Sequence, residues 1–126
     1  MIYLLDTHTL VFRFLNPKRL SKNHQSVFRD GGNSFLVPTL SLLEVQYLTE
    51  IGRIELEMGE FLSALKEEGS FEVIPFDEAV LAFALNLTST RDPFDRVILA
   101  HALATSTKIL TKDRWMHSTA PHLAIG

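Results

Sequence analysis

The sequence has no cysteine, and none of its apolar runs is long. Without cysteine, zinc–thiolate sites, thiol catalysis and a disulfide framework are excluded. The five histidines show no paired spacing of the kind that binds zinc. No apolar run approaches the roughly 20 residues of a membrane span, and the first acidic residue, Asp6, comes too early for the apolar core of a signal peptide. We therefore expect a soluble, cytoplasmic protein without a membrane segment.

The length and composition are those of one globular domain covering residues 1–126. Hydrophobic residues make up 46% of the chain, which is enough to form a core without disulfides or a structural metal. The net charge is −3, so the total charge does not indicate a nucleic-acid-binding protein. The basic residues nevertheless form two groups, one at Arg91, Arg96, Lys108, Lys112 and Arg114 and one at Arg13, Lys18, Arg19 and Lys22. A charge run usually means solvated surface, but the first group also suits a basic rim that holds a phosphate chain near acidic residues.

Apolar runs alternate with amphipathic segments along the whole chain. Strands are predicted at residues 2–5, 34–37, 71–76 and 108–111, with a final edge strand at 123–125. Helices are predicted at residues 7–15, 21–30, 41–51, 54–65, 79–87 and 93–105. This alternation predicts an α/β protein with a parallel sheet.

Acidic residues follow the predicted strands or begin the predicted helices. Asp6 closes the first apolar run, Asp113 comes just after the run at 108–111, and Glu44 lies in the helix after the second strand. Asp92 and Asp95 belong to the first turn of the helix at 93–105. Because the carboxyl ends of parallel strands share one edge of the sheet, these acids can meet there. A carboxylate cluster of this kind binds Mg²⁺ or Mn²⁺.

Each acid also has a purely structural interpretation. Glu44 lies three residues after Ser41, the spacing of a capping box. Asp92 stands before a proline, as an N-cap does. Asp95 would interact favourably with the helix dipole, and Asp113 could be an ion-paired surface residue.

A cluster of these acids would have a definite chemistry. Two carboxylates about 5 Å apart repel by roughly 3 kcal/mol at an effective dielectric constant near 20, and a cation removes that repulsion. A bound divalent metal also activates water and neutralises charge on a phosphoryl oxygen, which suits phosphodiester hydrolysis. Thr7 and Thr111 lie beside the acids and can hydrogen-bond to them or to a water molecule. Four aromatic residues could stack on bases: Phe12, Phe14, Tyr47 and Trp115. Packing in the core or at a protein interface is the stronger interpretation for each of them.

Four sequence motifs occur together and in order. They are Leu5-Asp6-Thr7-His8, Ser41-Leu42-Leu43-Glu44-Val45, the block from Arg91 to Ala100 that contains Asp-Pro-Phe-Asp-Arg, and Leu110-Thr111-Lys112-Asp113. In combination they resemble the PIN-domain family, and within it the VapC-type toxins of bacterial type II toxin–antitoxin systems. The resemblance implies a three-layer α/β/α sandwich with a central parallel sheet. It also implies a Mg²⁺- or Mn²⁺-dependent endoribonuclease.

The resemblance assigns roles to individual residues. The four acidic positions of the family fall on Asp6, Glu44, Asp95 and Asp113, as metal-binding and catalytic residues. Asp92 is an extra acid that contacts the metal directly or through water, and Thr7 and Thr111 support the site. RNA contacts are expected from Arg91, Arg96, Lys112 and Arg114. The expected partners are RNA, a cognate antitoxin that inserts a segment into the active site, and a second copy of the chain in a homodimer.

Two other classes of protein fit parts of the sequence. An aspartyl-phosphate-forming phosphotransfer domain would also place an acid after the first strand, but such a domain usually has a second acid two residues later, where this chain has His8. A catalytically silent module of the same fold, which only binds other proteins, is the other alternative. Such a module typically lacks one of the acids, whereas this chain has all of them.

Overall fold

A computed structural model describes all residues, 1–126, and its elements alternate between strands and helices. The five strands are β1 (Ile2–Leu5), β2 (Ser34–Pro38), β3 (Phe71–Ile74), β4 (Lys108–Leu110) and β5 (Ala124–Ile125). The seven α-helices are α1 (Thr7–Leu15), α2 (Lys22–Arg29), α3 (Thr39–Glu50), α4 (Met58–Glu68), α5 (Glu78–Asn86), α6 (Pro93–Thr105) and α7 (Arg114–Thr119). A short 3-10 turn, Pro17–Arg19, joins α1 to α2.

The five strands form one parallel sheet in the order β3-β2-β1-β4-β5. The chain moves outward from β1 to β2 and β3, then returns past β1 to build β4 and β5 on the other side. The order therefore reverses between β1 and β4, and the carboxyl ends of these two strands form the crevice where α/β proteins bind ligands. The prediction of an α/β protein with a parallel sheet is confirmed.

Helices cover both faces of the sheet because successive strand residues point to opposite sides. On one face, Leu4 and Ile109 pack with Ile98 of α6 and Met116 of α7. On the other face, Leu5 and Leu110 belong to a second cluster with residues of α1, α3 and α4. Strand residues that are buried on both faces give the three layers of the predicted sandwich.

Two predicted helix starts are confirmed by their capping contacts, whereas α4 ends three residues beyond its predicted end at residue 65. Ser21 caps α2 by accepting a hydrogen bond from the backbone N–H of His24, at 3.0 Å. Asp92 caps α6, and Pro93 occupies its first position. Gly69 ends α4 with a φ of 70°, a conformation that side chains other than glycine rarely adopt.

Three other predicted boundaries are wrong, and one helix was not predicted. The capping box at Ser41 is wrong because α3 already begins at Thr39, directly after Pro38, so Ser41 lies inside the first turn. Helix α4 begins at Met58 rather than at residue 54, with the side chain of Glu57 as its N-cap. Strand β3 ends at Ile74, two residues before the predicted end. Helix α7 is only six residues long, too short to show a clear apolar period.

Candidate metal-binding site at the sheet edge

The ends of β1 and β4 are joined by a side-chain hydrogen bond. Asp6 directly follows β1 and is 5% exposed, and Thr111 directly follows β4 and is fully buried. The Thr111 hydroxyl donates to Oδ2 of Asp6 at 2.7 Å and accepts from the backbone N–H of Asp113 at 3.0 Å. Thr111 therefore holds both the side chain of Asp6 and the backbone of Asp113.

Helix α7 holds the loop that carries Asp113. Oδ1 of Asp113 accepts the backbone N–H of Met116 at 2.9 Å and so caps the helix. His117, one turn later, donates from Nε2 to the carbonyl oxygen of Thr111 at 2.8 Å. His117 was not singled out from the sequence. Its six-residue distance from Thr111 becomes informative only once the intervening helix is known.

The first turn of α6 brings two more acids to the same edge. Oδ1 of Asp92 accepts the backbone N–H groups of Phe94, at 2.9 Å, and Asp95, at 3.3 Å, which confirms its role as an N-cap. The capping bonds use only one carboxylate oxygen of Asp92, so Oδ2 has no hydrogen-bond partner. The carboxylate of Asp95 makes no hydrogen bond within the protein and is not consumed by capping.

Glu44 lies in α3 and is 8% exposed, yet its Oε1 has no hydrogen-bond partner. The hydroxyls of Thr7 and Ser41 are also buried without a partner. The Thr7 hydroxyl lies close enough to Glu44 to lower the pKa of that carboxyl, although the pair does not reach the geometry of a hydrogen bond. A buried polar atom without a partner destabilises a protein by about 1–3 kcal/mol. These three oxygens therefore lower the stability of the folded protein as long as no group binds them.

The pKa values of Asp6, Glu44 and Asp95 are raised in part by the charges of neighbouring acids, which indicates that the five acids face a common region. Burial, as the largest cause, and the charges of Asp92, Asp6, Asp113 and Glu44, in that order, together raise the pKa of Asp95 to about 8. Burial also raises the pKa of Glu44, with added repulsion from Asp6 and Asp92.

The pKa of Asp6 is likewise raised, first by burial and then by Asp113, against the opposing effects of the Thr111 hydroxyl and His8. The fold therefore stabilises the ionised forms of Asp6, Glu44 and Asp95 less than water does.

The donor set fits a hard divalent cation. All the unpartnered atoms are oxygens, which Mg²⁺ and Mn²⁺ prefer, and an added positive charge would relieve the repulsion that raises these pKa values. In the structure itself, no three Asp, Glu or His side chains are arranged so that they could hold a metal ion together.

The four basic residues expected to contact RNA differ in their surroundings. The guanidinium of Arg96 donates to the carbonyl oxygen of Ala84, from Nη2 at 2.9 Å and from Nε at 3.2 Å, and so holds the end of α5. Arg91, Lys112 and Arg114 are exposed and form no ion pair or side-chain hydrogen bond. Arg96 is therefore engaged within the fold, while the other three remain free at the surface.

The fold and the site therefore define an α/β protein with a parallel sheet and an acidic crevice at its switch point. The sequence matches the family model of the PIN domain over residues 3–120. It is also 31% identical over 117 residues to Ribonuclease VapC22 of Mycobacterium tuberculosis (strain ATCC 25618 / H37Rv), covering 91% of this chain and 89% of that protein. The chain belongs to the PIN-domain family.

Solved structures with the same fold include two complexes that cover the whole chain. VapBC2 from Rickettsia felis, bound to a DNA fragment from its promoter, matches with a TM-score of 0.71 at 18% identity, covering 100% of this chain and 98% of that one. FitAcB from Neisseria gonorrhoeae matches with a TM-score of 0.65 at 20% identity, covering 100% and 97%. A toxin–antitoxin complex from Klebsiella pneumoniae matches with a TM-score of 0.69 at 13% identity, covering 98% and 96%. These structures agree with the fold. None of the helices of this protein is long and apolar enough to cross a membrane.

Proposed function

We propose that this protein is a metal-dependent endoribonuclease and the toxin of a type II toxin–antitoxin pair. The observation that carries the proposal is the set of five mutually repelling acids at the β1–β4 crevice, where the pKa of Asp95 reaches about 8. Membership of the PIN-domain family and the 31% identity to a ribonuclease support the same activity. We place its action in the cytoplasm, where its RNA substrate occurs.

In this proposal Asp6, Glu44, Asp95 and Asp113 hold Mg²⁺ or Mn²⁺, and Asp92 binds directly or through a water molecule with its free oxygen. When bound, such an ion supplies a Lewis acid for the scissile phosphate and lowers the pKa of a bound water. The remaining roles belong to the protein's own groups. Thr111 orients Asp6 through its 2.7 Å hydrogen bond, and Thr7 offers a free hydroxyl beside Glu44.

The direct test is cleavage of unstructured RNA with added Mg²⁺ or Mn²⁺, with EDTA, and with two variants. We expect cleavage with either metal and none in EDTA, with Asp6→Asn or with Asp95→Asn. Glu67→Gln is the control, because Glu67 is an exposed residue of α4 without a hydrogen bond or ion pair. Undiminished cleavage in EDTA, or by a folded Asp6→Asn variant, would disprove the metal-dependent mechanism.

The proposed protein partners are an antitoxin and a second copy of the chain. Two of the similar structures are named as a VapBC2 assembly and a toxin–antitoxin complex, which supports an antitoxin for this chain as well. For the homodimer we propose the exposed apolar stripe of α3, Leu43, Tyr47 and Ile51, which are 56%, 48% and 48% exposed. Tyr47 is held in place by stacking on Phe94, with ring centroids 6.1 Å apart.

The dimer is tested by light scattering of the purified protein. We expect a mass of two chains for the wild type and of one chain for Leu43→Glu. A single-chain mass for the wild type would refute the dimer. Co-purification with the product of a neighbouring small gene tests the antitoxin.

A further inference from the structure

Five of the twelve basic residues of this acidic protein lie in one segment that has no acidic residue, and we call the surface of this segment the basic groove. Residues 7–29, from α1 through the 3-10 turn to the end of α2, contain five Lys and Arg and no Asp or Glu, although the net charge of the chain is −3. The five are Arg13, Lys18, Arg19, Lys22 and Arg29. A segment this long without an acid presents a positive surface to solvent.

Two cavities lie side by side on this surface. The first, about 270 Å³, opens from Asp6 and Asp113 of the acidic site to Phe12 and Arg19. The second, about 280 Å³, is lined by Arg13, Lys18 and Arg29. Leu20 lines both cavities. The acidic site therefore continues through the first cavity into a second, basic one.

The first cavity has the features of a site for one nucleotide. Its volume of about 270 Å³ lies just below the roughly 300–1,000 Å³ of ordinary small-molecule sites. The guanidinium carbon of Arg19 lies 4.5 Å from the centre of the Phe12 ring, which holds a planar cation on the cavity wall. Unpaired bases stack on guanidinium planes and aromatic rings of this kind.

His24 gives the same cavity a polar group of defined orientation. It is 1% exposed, and its Nε2 lies 2.7 Å from the carbonyl oxygen of Ile125, which can only accept a hydrogen bond. Nε2 therefore carries the proton, and in the neutral ring Nδ1 is left as an acceptor without a partner. A base edge with an N–H donor fits such an acceptor.

The second cavity suits phosphate groups. Arg13 is held in place by Glu68, with Nη2 at 3.1 and 3.0 Å from the two carboxylate oxygens. Lys18 is exposed without a partner, and Arg29 contacts only the neutral side chain of Gln25, at 3.2 Å. Two full positive charges therefore remain available to an anionic chain.

We propose that single-stranded RNA reaches the acidic site along the basic groove, with one nucleotide in the first cavity and its neighbouring phosphates over the second. This path rests on the proposed ribonuclease function and adds where the substrate lies. The sequence suggested RNA contacts at Arg91, Arg96, Lys112 and Arg114. Of these, only Lys112 lines the first cavity, so the groove differs from that path at Arg91, Arg96 and Arg114.

Three sets of variants test whether RNA follows the groove or the rim. All are made in the Asp95→Asn background, so that RNA is not cleaved. The groove set is Lys18→Gln, Arg19→Gln and Arg29→Gln together, and the rim set is Arg91→Gln with Arg114→Gln. The control set is Arg53→Gln, Lys66→Gln and Lys108→Gln, three exposed residues outside the groove without side-chain partners. It changes the net charge as much as the groove set does. Binding of a fluorescent, unstructured RNA of about 16 nucleotides is measured by anisotropy at several salt concentrations.

We expect the groove set alone to weaken binding and to flatten its salt dependence. Each phosphate contact to a single strand contributes a slope of about −0.7 in log K against log salt. Losing the two phosphate contacts of Lys18 and Arg29 lowers the magnitude of the slope by about 1.4, so between about 50 and 200 mM salt the parent protein should lose about 7-fold more affinity than the groove set.

Equal binding by the groove and control sets would overturn the path, as would a loss confined to the rim set. A groove that binds an acidic protein segment instead of RNA would also give equal RNA binding by the groove and control sets. If the wild type cleaves RNA and either result is found, only the path is wrong. If the wild type neither cleaves nor binds RNA, the proposed function fails and the path fails with it.

Discussion

Replacing Asp95 with asparagine should make the metal-free protein more stable. In the unfolded chain Asp95 has an ordinary pKa of 3.8, whereas in the folded protein burial and four neighbouring acids raise it to about 8. A pKa that is raised by folding means that stability is greatest below pH 4 and is lost as the pH rises toward 8. Asparagine has the same shape and no charge, so it removes this loss.

The size of the effect follows from the pKa values. Between pH 3.8 and pH 7, folding must keep a proton on Asp95 at a cost of about 1.4 kcal/mol per pH unit, or about 4 kcal/mol in all. The side chain is only partly buried, so water screens the repulsion, and we take about half. Asp95→Asn should therefore raise the free energy of unfolding at pH 7 by about 2 kcal/mol, or raise Tm by about 6–10 °C for a domain of this size.

The assay is urea denaturation in EDTA at pH 5, 6 and 7 for the wild type, Asp95→Asn and the control Glu67→Gln. The stability difference between Asp95→Asn and the wild type should grow from below 1 kcal/mol at pH 5 to about 2 kcal/mol at pH 7. Glu67→Gln should follow the wild type at every pH. A less stable Asp95→Asn protein, or a difference that does not change with pH, would refute the argument that burial and the neighbouring acids raise the pKa of Asp95.

Three further predictions test other parts of the site. Added Mg²⁺ should raise the Tm of the wild type at pH 7.5 but hardly that of Asp95→Asn, in a thermal shift assay; an equal rise in both would show that the ion binds elsewhere. Thr111→Val should lower the free energy of unfolding by about 1–3 kcal/mol, because Asp6 and the Asp113 N–H lose their partner, and should reduce cleavage; an unchanged urea midpoint would contradict this. Arg96→Gln should destabilise the protein by about 1–3 kcal/mol through the lost bonds to Ala84 and leave RNA affinity unchanged in the anisotropy assay; weaker RNA binding by a folded variant would show that Arg96 reaches the substrate.

The position of the site could be predicted from local signals in the sequence. Asp6 follows a short apolar run, and Asp92 stands before a proline at the start of a helix. Both are properties of neighbouring residues, and the rule that parallel strands share an edge brings such residues together. The order of the strands could not be predicted in this way, because it depends on which surfaces pack after the strands have formed.

Other features depend on contacts between residues far apart in sequence. Ser41 and Glu44 have the spacing of a capping box, but Pro38 lets α3 begin at Thr39, which leaves the Glu44 carboxylate free for the site. The direction of Arg96 is set by the end of α5, twelve residues earlier in the chain. The residues next to Glu44 and Arg96 in the sequence do not predict these contacts.

The hydrogen bond between Thr111 and Asp6 spans 105 positions of a 126-residue chain. During synthesis on a ribosome, β1 emerges first and must wait for β4 before its carboxyl end gains a neighbour on that side. Until then Asp6 lacks the threonine that orients it, and Asp113 has not been made. The acidic site is therefore complete only after nearly the whole chain has been made.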